Sequence, residues 1–440
     1  MADGWPAAVL KAPRALSATH PAALDVEAAG IVRATSAPLS VLHVLRAPLG
    51  GLFRHVVDLV QGQAARGHRV GLIVDSTTGG PRAEAALAGL APHLALGVQR
   101  VAISRELGPS DIEALRHVSG WVRQAAPDVL HGHGAKGAAL ARLTLSAPQA
   151  IRVYTPHGGS LVYRPGTTAG AFYRTLEWLL KWRTDLFLFE SSYIAALFRA
   201  EIGHPPGIVR VVHNGVGEAE FAPIVPRPDA TDIICLGELR PVKAFDVLIE
   251  ALAILKRQGR PLSVTIAGDG PDAAKLKALA RLKQRGRLAS ATIAGEGPDA
   301  AKLKAQAEQL GIADQVRLVG YRPAREAFAM GRMMVIPSRA ESLPYVILEA
   351  AAAGVPIIST RVGGIPEIFG PQSDQLIPPD DIGALIDAIS AALDDPAGLR
   401  RVAQLVQARV KAEFSLPAMV DGGLTAYREA LALRKLAQFA

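Results

Sequence analysis

Two glutamates in the C-terminal half are the residues of this chain best placed to do chemistry. Glu341 and Glu349 lie eight positions apart in the segment Glu-Ser-Leu-Pro-Tyr-Val-Ile-Leu-Glu. Ser342 and Pro344 predict the start of a helix, so Glu341 precedes the helix and Glu349 lies more than one turn inside it. Helix N-termini attract phosphate, and carboxylates accept hydrogen bonds from sugar hydroxyls. The spacing therefore suits two polyhydroxyl rings joined by phosphate, which describes a nucleotide-sugar.

The elements around this segment strengthen that interpretation. Short apolar strands are predicted at 335–338 before the helix and at 356–359 after it, and Gly363-Gly364 follows the second strand. Strand, loop, helix, strand and Gly-rich loop form a parallel α/β unit, whose ligand site lies at the carboxyl ends of its strands. Without this context, two solvated glutamates would be the better explanation. With it, the chain resembles glycosyltransferase family 4 over roughly residues 40–440.

The resemblance implies a fold and a mechanism. Members of the family are retaining transferases with two Rossmann-like, doubly wound α/β domains facing a cleft, an arrangement called GT-B. The nucleoside diphosphate leaves while the acceptor attacks the same face of the sugar. Catalysis then rests on orientation and on electrostatic stabilisation of the leaving phosphate, with no side-chain nucleophile and no metal required.

By the same resemblance, a loop of the second domain would bind the diphosphate. Arg240 and Lys243 follow the predicted strand 233–236, and an Arg fork and a Lys point charge suit a diphosphate. Lys243 matches directly the lysine that, with an arginine, neutralises the leaving group in the family, whereas Arg240 lies two positions after the usual arginine. Two positions depart from the family pattern, because Glu238 stands where Arg is usual and Ala244 where Gly is usual. The alternative is a solvated surface loop.

The other expected site residues follow from the same comparison. Glu341 would hold sugar hydroxyls and Glu349 the ribose, while the loop after strand 316–319 resembles the one that cradles the base. Glu367 lies either near the sugar diphosphate or at a solvated helix cap. The expected catalytic residues are His157, Arg240, Lys243 and Glu341. The expected nucleotide-sugar-binding residues are Gly50, Gly51, Gly320, Tyr321, Ser342, Leu343 and Glu349.

The first domain would contribute glycines and histidines. Gly50-Gly51 lets the backbone approach a ligand closely, and the family places that loop over the sugar phosphate. His157, in Thr-Pro-His-Gly, matches the family's histidine near the transferred sugar. His131 is a predicted strand residue, whereas His133 and Lys136 are expected to line the acceptor side. His-x-His also suggests zinc, but further ligands with matching spacing are not evident, so no metal site is expected.

The length and the alternation of strands and helices predict two α/β domains. Residues 1–39 are rich in Ala and Pro and predict a disordered tail that lacks the apolar core of a signal peptide. Parallel, doubly wound sheets are expected over 40–220 and 230–410, joined by the Pro-rich linker 221–229. A final helix, 417–439, is expected to pack on the first domain, as in the resembled family.

Short apolar runs between turn residues give the positions of the strands. In the first domain the predicted strands are 40–45, 69–74, 128–133, 151–155, 185–190 and 209–212, and the predicted helices include 52–66 and 111–125. In the second domain they include 233–236, 316–319, 335–338 and 356–359.

A tandem repeat interrupts the second domain. Residues 255–280 and 282–307 match at 19 of 26 positions with an offset of 27. Each copy has a Thr-Ile-Ala strand, a Gly-x-Gly-Pro-Asp turn and a helix, but it lacks the third glycine of a dinucleotide-binding fingerprint, and two copies are too few for a solenoid. We predict that one copy fills the sheet and the other is extruded, because an extra strand would displace the loop at Gly320 by roughly 4.8 Å.

Composition limits the classes of binding partner and the cellular compartment expected for this protein. A net charge of +8 permits nucleic-acid or anionic-membrane binding, but the basic residues are dispersed, so no nucleic-acid partner is expected. Segment 172–183 mixes aromatic, leucine and basic residues, and it is either a core-packed helix or one that touches membrane headgroups. The single cysteine, Cys235, is expected in a buried strand and indicates a reducing compartment. No apolar run approaches the roughly 20 residues that span a bilayer.

The resemblance, taken with these patterns, implies a retaining glycosyltransferase in surface polysaccharide synthesis. It would move a sugar from a UDP- or GDP-sugar to a glycan or polyprenyl-linked acceptor, in the cytoplasm or at the inner face of its membrane, without cofactor or metal. Two alternatives stay open: a nucleotide-sugar epimerase of the same two-domain architecture, and a non-catalytic nucleotide-sugar-binding protein disabled by the duplication.

Overall fold

The structure is a computed structural model that describes residues 37–158, 161, 167–268, 300–312 and 314–439. The predicted tail therefore lies outside the described residues as far as residue 36. The chain divides into two compact units. The first unit ends at Gly215 and resumes at Leu416, and the second unit is Val216–Ser415.

The first unit contains a seven-stranded parallel sheet with the strand order β3-β2-β1-β4-β5-β6-β7. The order reverses between β1 and β4, and such a switch point is where open α/β sheets bind ligands. The strands are β1 (Ser40–Leu45), β2 (Arg69–Asp75), β3 (Gly97–Val101), β4 (Val129–His133), β5 (Ile151–Thr155), β6 (Leu186–Phe189) and β7 (Ile208–Val211).

Seven helices of the described residues belong to this unit: α1 (Gly50–Ala65), α2 (Gly80–Leu90), α3 (Ser110–Ala125), α4 (Gly134–Leu143), α5 (Thr168–Leu180), α6 (Ser192–Glu201) and the C-terminal α14 (Leu416–Phe439). Helix α14 packs on α1, β5 and β6. Gly62 makes this packing possible, since a methyl group there would lie 2.4 Å from a Val420 methyl carbon.

The second unit contains a five-stranded parallel sheet with the strand order β10-β9-β8-β11-β12 and its own switch point between β8 and β11. Its strands are β8 (Thr231–Leu236), β9 (Val264–Ala267), β10 (Val316–Leu318), β11 (Gly331–Ile336) and β12 (Ile357–Ser359). Its helices are α7 (Phe245–Arg257), α8 (Ala300–Gln309), α9 (Ala324–Phe328), α10 (Tyr345–Ala352), α11 (Ile365–Phe369), α12 (Ile382–Asp394) and α13 (Pro396–Glu413).

The predicted linker is part of the second unit. The chain passes from one unit to the other between Gly215 and Val216, ahead of segment 221–229. Phe221 and Ile224 pack against the core of the second unit. Proline and polar residues alone therefore mark a surface segment here, not the position of the boundary.

The tandem repeat supplies one strand and one helix to the described part of the second unit. Strand β9 comes from the first copy and pairs directly with both β8 and β10. Helix α8 comes from the second copy, packs on α7 and buries Leu303 and Ala307 in the core. The second Thr-Ile-Ala, at 292–294, lies outside the described residues. No strand intervenes between β9 and β10, so the described sheet has the places of a single βα unit.

The predicted fold class, two doubly wound parallel α/β domains, is confirmed. The predictions at 40–45 and 151–155 coincide with β1 and β5, whereas β3 and α2 were not predicted. Cys235 is buried in β8, and burial raises the pKa of its thiol. Among the described residues, no helix has both the length and the apolar character needed to cross a membrane.

Candidate functional site

In the second unit, a charge pair joins the loops that leave the two strands at the switch point. Lys243, after β8, places Nζ 2.6 Å from Oε1 of Glu341, which follows β11. The Ser338 hydroxyl donates to the same carboxylate oxygen over 2.7 Å. Because β8 and β11 are adjacent parallel strands, their carboxyl ends bring these side chains together. The Lys243 side chain is 20% exposed and that of Glu341 only 9%, so the pair sits in a recess open to solvent.

Hydrogen bonds from Arg339 hold the loop that carries Lys243 in place. Arg339 lies between two carboxylates, with Nη2 2.7 Å from Asp246 and Nε 2.6 Å from Asp380. Its backbone N–H also donates to the Val242 carbonyl over 2.8 Å. Ala244 ends this loop with φ of +52°, the left-handed region that favours glycine. The backbone conformation therefore accounts for the usual family glycine, although this chain carries alanine there.

Close backbone contacts fix the Gly-rich loop beside Glu341. Gly363 has φ of +59°, and a methyl group on it would lie 1.9 Å from the Glu341 carbonyl oxygen. The neighbouring Gly364 N–H donates to the Ser342 carbonyl over 2.6 Å. Any side chain at Gly363 would therefore push the 341–342 backbone away from the Gly-rich loop.

Gly268, the first glycine of the Gly-x-Gly-Pro-Asp motif in the first repeat copy, contacts two further loops at the same end of the sheet. Gly268 donates its N–H to the Gly320 carbonyl over 2.9 Å, and a methyl group on Gly268 would lie 1.8 Å from the Gly237 carbonyl oxygen. The loops after β8, β9 and β10 are thus in backbone contact, which fixes the position of the expected base loop.

Helix α10 begins at Tyr345, with Pro344 at its N-cap position, so Ser342 lies before the helix and is not its capping residue. Leu343 is buried, and Glu349 is half-buried on the second turn. The predicted order, with Glu341 before the helix and Glu349 inside it, is present in the structure.

In the first unit, a cleft of about 240 Å³ opens at the carboxyl ends of β1, β4 and β5. Its lining includes Arg46, Arg105 and Lys136 together with His133 and His157. Lys136 is paired with an aspartate of α3 and also donates to a backbone carbonyl at 3.0 Å. The side chains around the opening therefore carry an excess of positive charge, which suits an anionic group.

Two glycines let α4 lie directly against the sheet beside this cleft. A methyl group on Gly132 would lie 2.3 Å from Ala138 Cα, and one on Gly137 would lie 2.5 Å from the Val44 carbonyl oxygen. The helix begins at Gly134, which has φ of +63°. The segment His-Gly-His-Gly-Ala-Lys-Gly thus aims His133 and Lys136 at the cleft.

Five buried or half-buried histidines form a cluster below the cleft: His43, His55, His131, His133 and His157. A line of contacts runs from the core to the opening. Nε2 of His43 lies 3.0 Å from Gln63 Oε1, Nδ1 of His43 lies 2.9 Å from Nε2 of His133, and Nδ1 of His133 lies 3.2 Å from Nε2 of His157.

The other two histidines are anchored by polar side chains. Nδ1 of His55 lies 3.0 Å from Asn214 Oδ1, while the ring nitrogens of His131 lie 2.7 Å from the Tyr427 hydroxyl and 2.8 Å from the Thr155 hydroxyl. Burial lowers the pKa of His43 and of His55 to about 4. It also holds the pKa values of the other three histidines well below the usual range, so all five rings are neutral at pH 7.

His157 combines this neutrality with backbone strain. Its φ of +52° is in the left-handed region, which is uncommon for a residue with a side chain and recurs at functional sites. The Thr-Pro-His-Gly turn therefore holds the ring at the mouth of the cleft at a conformational cost.

Family models match almost all of the described chain. The model described as Glycosyltransferase Family 4 matches residues 49–220, and the model described as Glycosyl transferases group 1 matches residues 218–284 and 275–408. The chain belongs to glycosyltransferase family 4. The two stretches matched by the second model overlap at 275–284, inside the tandem repeat.

Curated relatives of the transferase are themselves glycosyltransferases. A glycogen synthase of Mycobacterium tuberculosis is 27% identical over 398 residues, which cover 83% of this chain and 88% of the relative. A GDP-mannose-dependent alpha-(1-6)-phosphatidylinositol monomannoside mannosyltransferase of Mycolicibacterium smegmatis is 28% identical over 318 residues, covering 67% and 70%. The protein is therefore an enzyme that transfers glycosyl groups.

Solved structures place the transferase in the GT-B fold. Sucrose-phosphate synthase from Thermosynechococcus elongatus superposes with a TM-score of 0.70 at 19% identity, covering 90% of this chain and all of that one. Anabaena HepE, solved in complex with UDP and glucose, gives 0.66 at 17% identity, covering 87% of this chain and 97% of that one. At these identities the likeness concerns the fold alone.

The structure brings together some of the predicted site residues of the transferase and separates others. Lys243 and Glu341 are in contact, and so are the Ser342 backbone and the Gly-rich loop. Arg240 points to solvent and pairs with Glu238 at 3.3 Å, and Tyr321 is 48% exposed. Gly50 and Gly51 form the exposed start of α1, while His133, His157 and Lys136 share the cleft.

Several residues of these sites were missed from the sequence. Ser338 and Arg339 support the charge pair, and Arg46 and Arg105 line the cleft. His43 had one local signal, a single polar residue in the apolar strand Val-Leu-His-Val-Leu. Spacing along the chain could not show that it meets His133, because the two lie on different strands.

Proposed function

We propose that the transferase moves a sugar from a nucleotide-diphospho-sugar to a glycan or lipid-linked acceptor with retention of anomeric configuration, in the synthesis of a surface polysaccharide. The observation that carries this proposal is the Lys243–Glu341 pair at the switch point of the second unit, beside the N-terminus of α10. A cation, a carboxylate and a helix N-terminus are the groups that a sugar diphosphate needs. One relative's name specifies GDP-mannose, and one structural neighbour holds UDP, which supports a donor of this class.

In this proposal the second unit binds the donor. Lys243 leaves its pair with Glu341 to face the diphosphate, and the exposed Arg240 leaves Glu238 and closes on the same group. Glu341 then accepts hydrogen bonds from the sugar hydroxyls, and Glu349 from the ribose. The backbone at Gly320 and Tyr321 faces the base, while Ser342 and Leu343 lead the chain into the helix N-terminus that faces phosphate.

Catalysis in this proposal comes from position and charge. The diphosphate departs as Lys243, Arg240 and the helix N-terminus stabilise its growing negative charge, and the acceptor oxygen attacks from the same face. In the first unit, Gly50-Gly51 approaches the sugar phosphate, and His157 contacts the transferred sugar as a neutral ring. No side-chain nucleophile and no divalent ion on the diphosphate are required.

The cleft of the first unit would take the acceptor. His133 and Lys136 line it, and Arg46 and Arg105 add positive charge at its mouth. A phosphate next to the acceptor sugar, as in a polyprenyl-linked glycan, would meet this charge. The proposed acceptor is therefore an anionic, lipid-linked glycan rather than a free neutral sugar.

Helix α5 and the turn after it offer a contact to a membrane surface. Phe172, Trp178, Leu179 and Trp182 are 49–65% exposed, while Leu180 on the opposite side is buried. Aromatic and leucine side chains of this kind enter the headgroup region, and the net charge of +8 favours anionic lipid. We therefore place the transferase at the inner face of the membrane. Co-sedimentation with anionic but not neutral vesicles, lost in Trp178→Ala/Trp182→Ala, tests this part; equal sedimentation of both proteins would refute it.

A donor screen followed by product analysis tests the proposed function. UDP-, GDP- and ADP-sugars are screened by thermal shift, and the best donor is incubated with lipid-linked glycan acceptors. We expect one nucleotide-sugar to raise the melting temperature, and NMR of the product to show the anomeric configuration of the donor. An inverted product would overturn retention, and isomerisation of the free donor without transfer would overturn the assigned reaction.

Chelation tests the metal-independent mechanism. Turnover with EDTA is expected to equal turnover without it, because Lys243, Arg240 and a helix N-terminus supply the charge that a metal would bring. Turnover that disappears with EDTA and returns with magnesium or manganese would contradict this mechanism while leaving the donor class untouched.

A further inference from the structure

The histidine cluster of the first unit contains two groups of three rings close enough to share a metal ion. In each group one ring nitrogen of every histidine lies within 4.8 Å of the others. One group is His43, His131 and His133, and the other is His55, His133 and His157. The hydrogen bonds around the rings distinguish the two groups.

The first group is unsuited to a metal. Both ring nitrogens of His131 already have partners, the Tyr427 hydroxyl at 2.7 Å and the Thr155 hydroxyl at 2.8 Å. A metal ion would have to break one of these bonds in the core, where an unpaired hydroxyl is costly. His43 and His131 are also fully buried, so an ion would have no direct path to them.

In the second group, the amide partners set the tautomers of His133 and His55. Gln63 Oε1 can only accept, so His43 carries its proton on Nε2 and accepts at Nδ1 from Nε2–H of His133. His133 therefore presents a bare Nδ1 toward His157. By the same reasoning, the bond to Asn214 Oδ1 places the proton of His55 on Nδ1, so that Nε2 is its ligating atom.

These outer bonds are those of a metal site. Metal-binding histidines donate their second ring N–H to a fixed acceptor, which orients the ring and fixes its tautomer. Nδ1 of His133 and Nε2 of His157 are 3.2 Å apart, close to the roughly 3.3–3.4 Å between two nitrogens held tetrahedrally at 2.0–2.1 Å from zinc. His157 is half-buried and both residues line the cleft, which gives an ion a path in and leaves room for a fourth ligand.

We propose that His55, His133 and His157 bind one zinc ion, with Asn214 and the His43–Gln63 pair as outer partners and the fourth position open to the cleft. Three imidazoles without a carboxylate or thiolate favour zinc over magnesium or calcium. The site is separate from the diphosphate, where no metal is proposed, and the ion is not required for transfer: the EDTA-treated enzyme, in which the His157 ring faces the sugar, is expected to keep its turnover.

Metal binding itself is the readout. Full-length protein without a histidine tag is treated with EDTA, desalted and titrated with Zn²⁺ against a chromophoric chelator. We expect about one equivalent of Zn²⁺ per chain, and X-ray absorption with about three imidazole ligands. His157→Gln, at the half-buried end of the cluster, should weaken Zn²⁺ at least about tenfold, and His55→Gln should do the same. His117→Gln, an exposed histidine on α3, should leave the affinity unchanged.

Two further measurements separate a loss of metal binding from a loss of the fold. Circular dichroism checks that each variant is folded, and Co²⁺ in the wild-type protein should give the visible absorption of a tetrahedral site. A chain that binds less than a tenth of an equivalent of Zn²⁺ overturns the proposal and leaves the 3.2 Å contact as a hydrogen bond between neutral rings. A single imidazole ligand, or His157→Gln with wild-type affinity in a folded protein, overturns it as well.

Discussion

The two units use the same topology for opposite chemistry. Each has a parallel sheet whose strand order reverses, and each gathers polar side chains at that switch point. In the second unit they form a charge pair, Lys243 with Glu341, and residues 216–440 contain no histidine. In the first unit they form a neutral histidine cluster. The fold therefore fixes where a site lies. The side chains at that place decide whether the site is charged, as in the second unit, or offers uncharged ring nitrogens, as in the first.

Lowering the pH is expected to give the largest difference between the two units, in their free energies of unfolding. Burial lowers the pKa of His43 and His55 from 6.5 to about 4, so the unfolded state binds protons first as the pH falls. The stability that these rings provide is complete above about pH 6.5 and is lost as the pH falls toward 4. For EDTA-treated protein, we expect the two rings together to cost the first unit on the order of 3–4 kcal/mol between pH 7 and pH 5.

Urea unfolding at several pH values measures this effect. Three of the four tryptophans, Trp121, Trp178 and Trp182, lie in the first unit, so tryptophan fluorescence follows mainly that unit, while far-UV circular dichroism follows both. The fluorescence midpoint should fall between pH 7 and pH 5 further than the second transition in circular dichroism. Equal shifts of the two transitions would show that the histidines do not distinguish the units.

The next largest effect is expected on kcat/KM, when a charged side chain of the donor site in the second unit is removed. Lys243→Ala removes a charge-assisted hydrogen bond worth about 1.5–3 kcal/mol, so kcat/KM for transfer should fall at least about tenfold without loss of the fold. Glu349→Ala should do the same through the ribose. Lys256→Ala, which removes an exposed lysine of the same unit, is the matched control and should keep wild-type kinetics. Wild-type kcat/KM in both Lys243→Ala and Glu349→Ala would show that these two residues do not bind the donor.

The backbone contact beneath Glu341 should matter through steric clash, not charge. Gly363→Ala places a methyl group against the Glu341 carbonyl, whereas Gly311→Ala, at a similar φ of +69°, meets nothing within 4 Å. Both pay the left-handed backbone cost of about 1–2 kcal/mol, but only Gly363→Ala should also weaken donor binding, by several-fold or more. Thermal unfolding and donor titration check this, and equal donor affinities in the two variants would contradict it.

The smallest effect is expected from removing the duplication. Deletion of residues 269–295 joins Gly268, after β9, to Glu296 and restores the Gly-x-Gly-Pro-Asp turn before α8. Since β9 and α8 already occupy the places of one βα unit, the free energy of unfolding and the turnover should change little, within about threefold for turnover.

A second deletion of equal length is the control for this experiment. Removal of 281–307 keeps the predicted helix of the first copy instead, in which Leu276 and Ala280 correspond, by the offset of 27, to the buried Leu303 and Ala307 of the second copy. Both deletions should fold and transfer. Loss of turnover in both would show that the additional 27 residues have a role in the active transferase.

Local patterns determined the elements of this protein and the identity of most candidate groups. Apolar runs between turn residues predicted the strands because a parallel sheet buries both faces of each strand, and Glu341, Glu349 and Gly363 stood out because their roles depend on nearby backbone. The contacts themselves followed only from tertiary structure. Lys243 and Glu341 are 98 positions apart, and His43 and His133 are 90 apart. The physical reason is that strand order and register, set by packing over the whole sheet, decide which carboxyl ends become neighbours, and no local spacing records that choice.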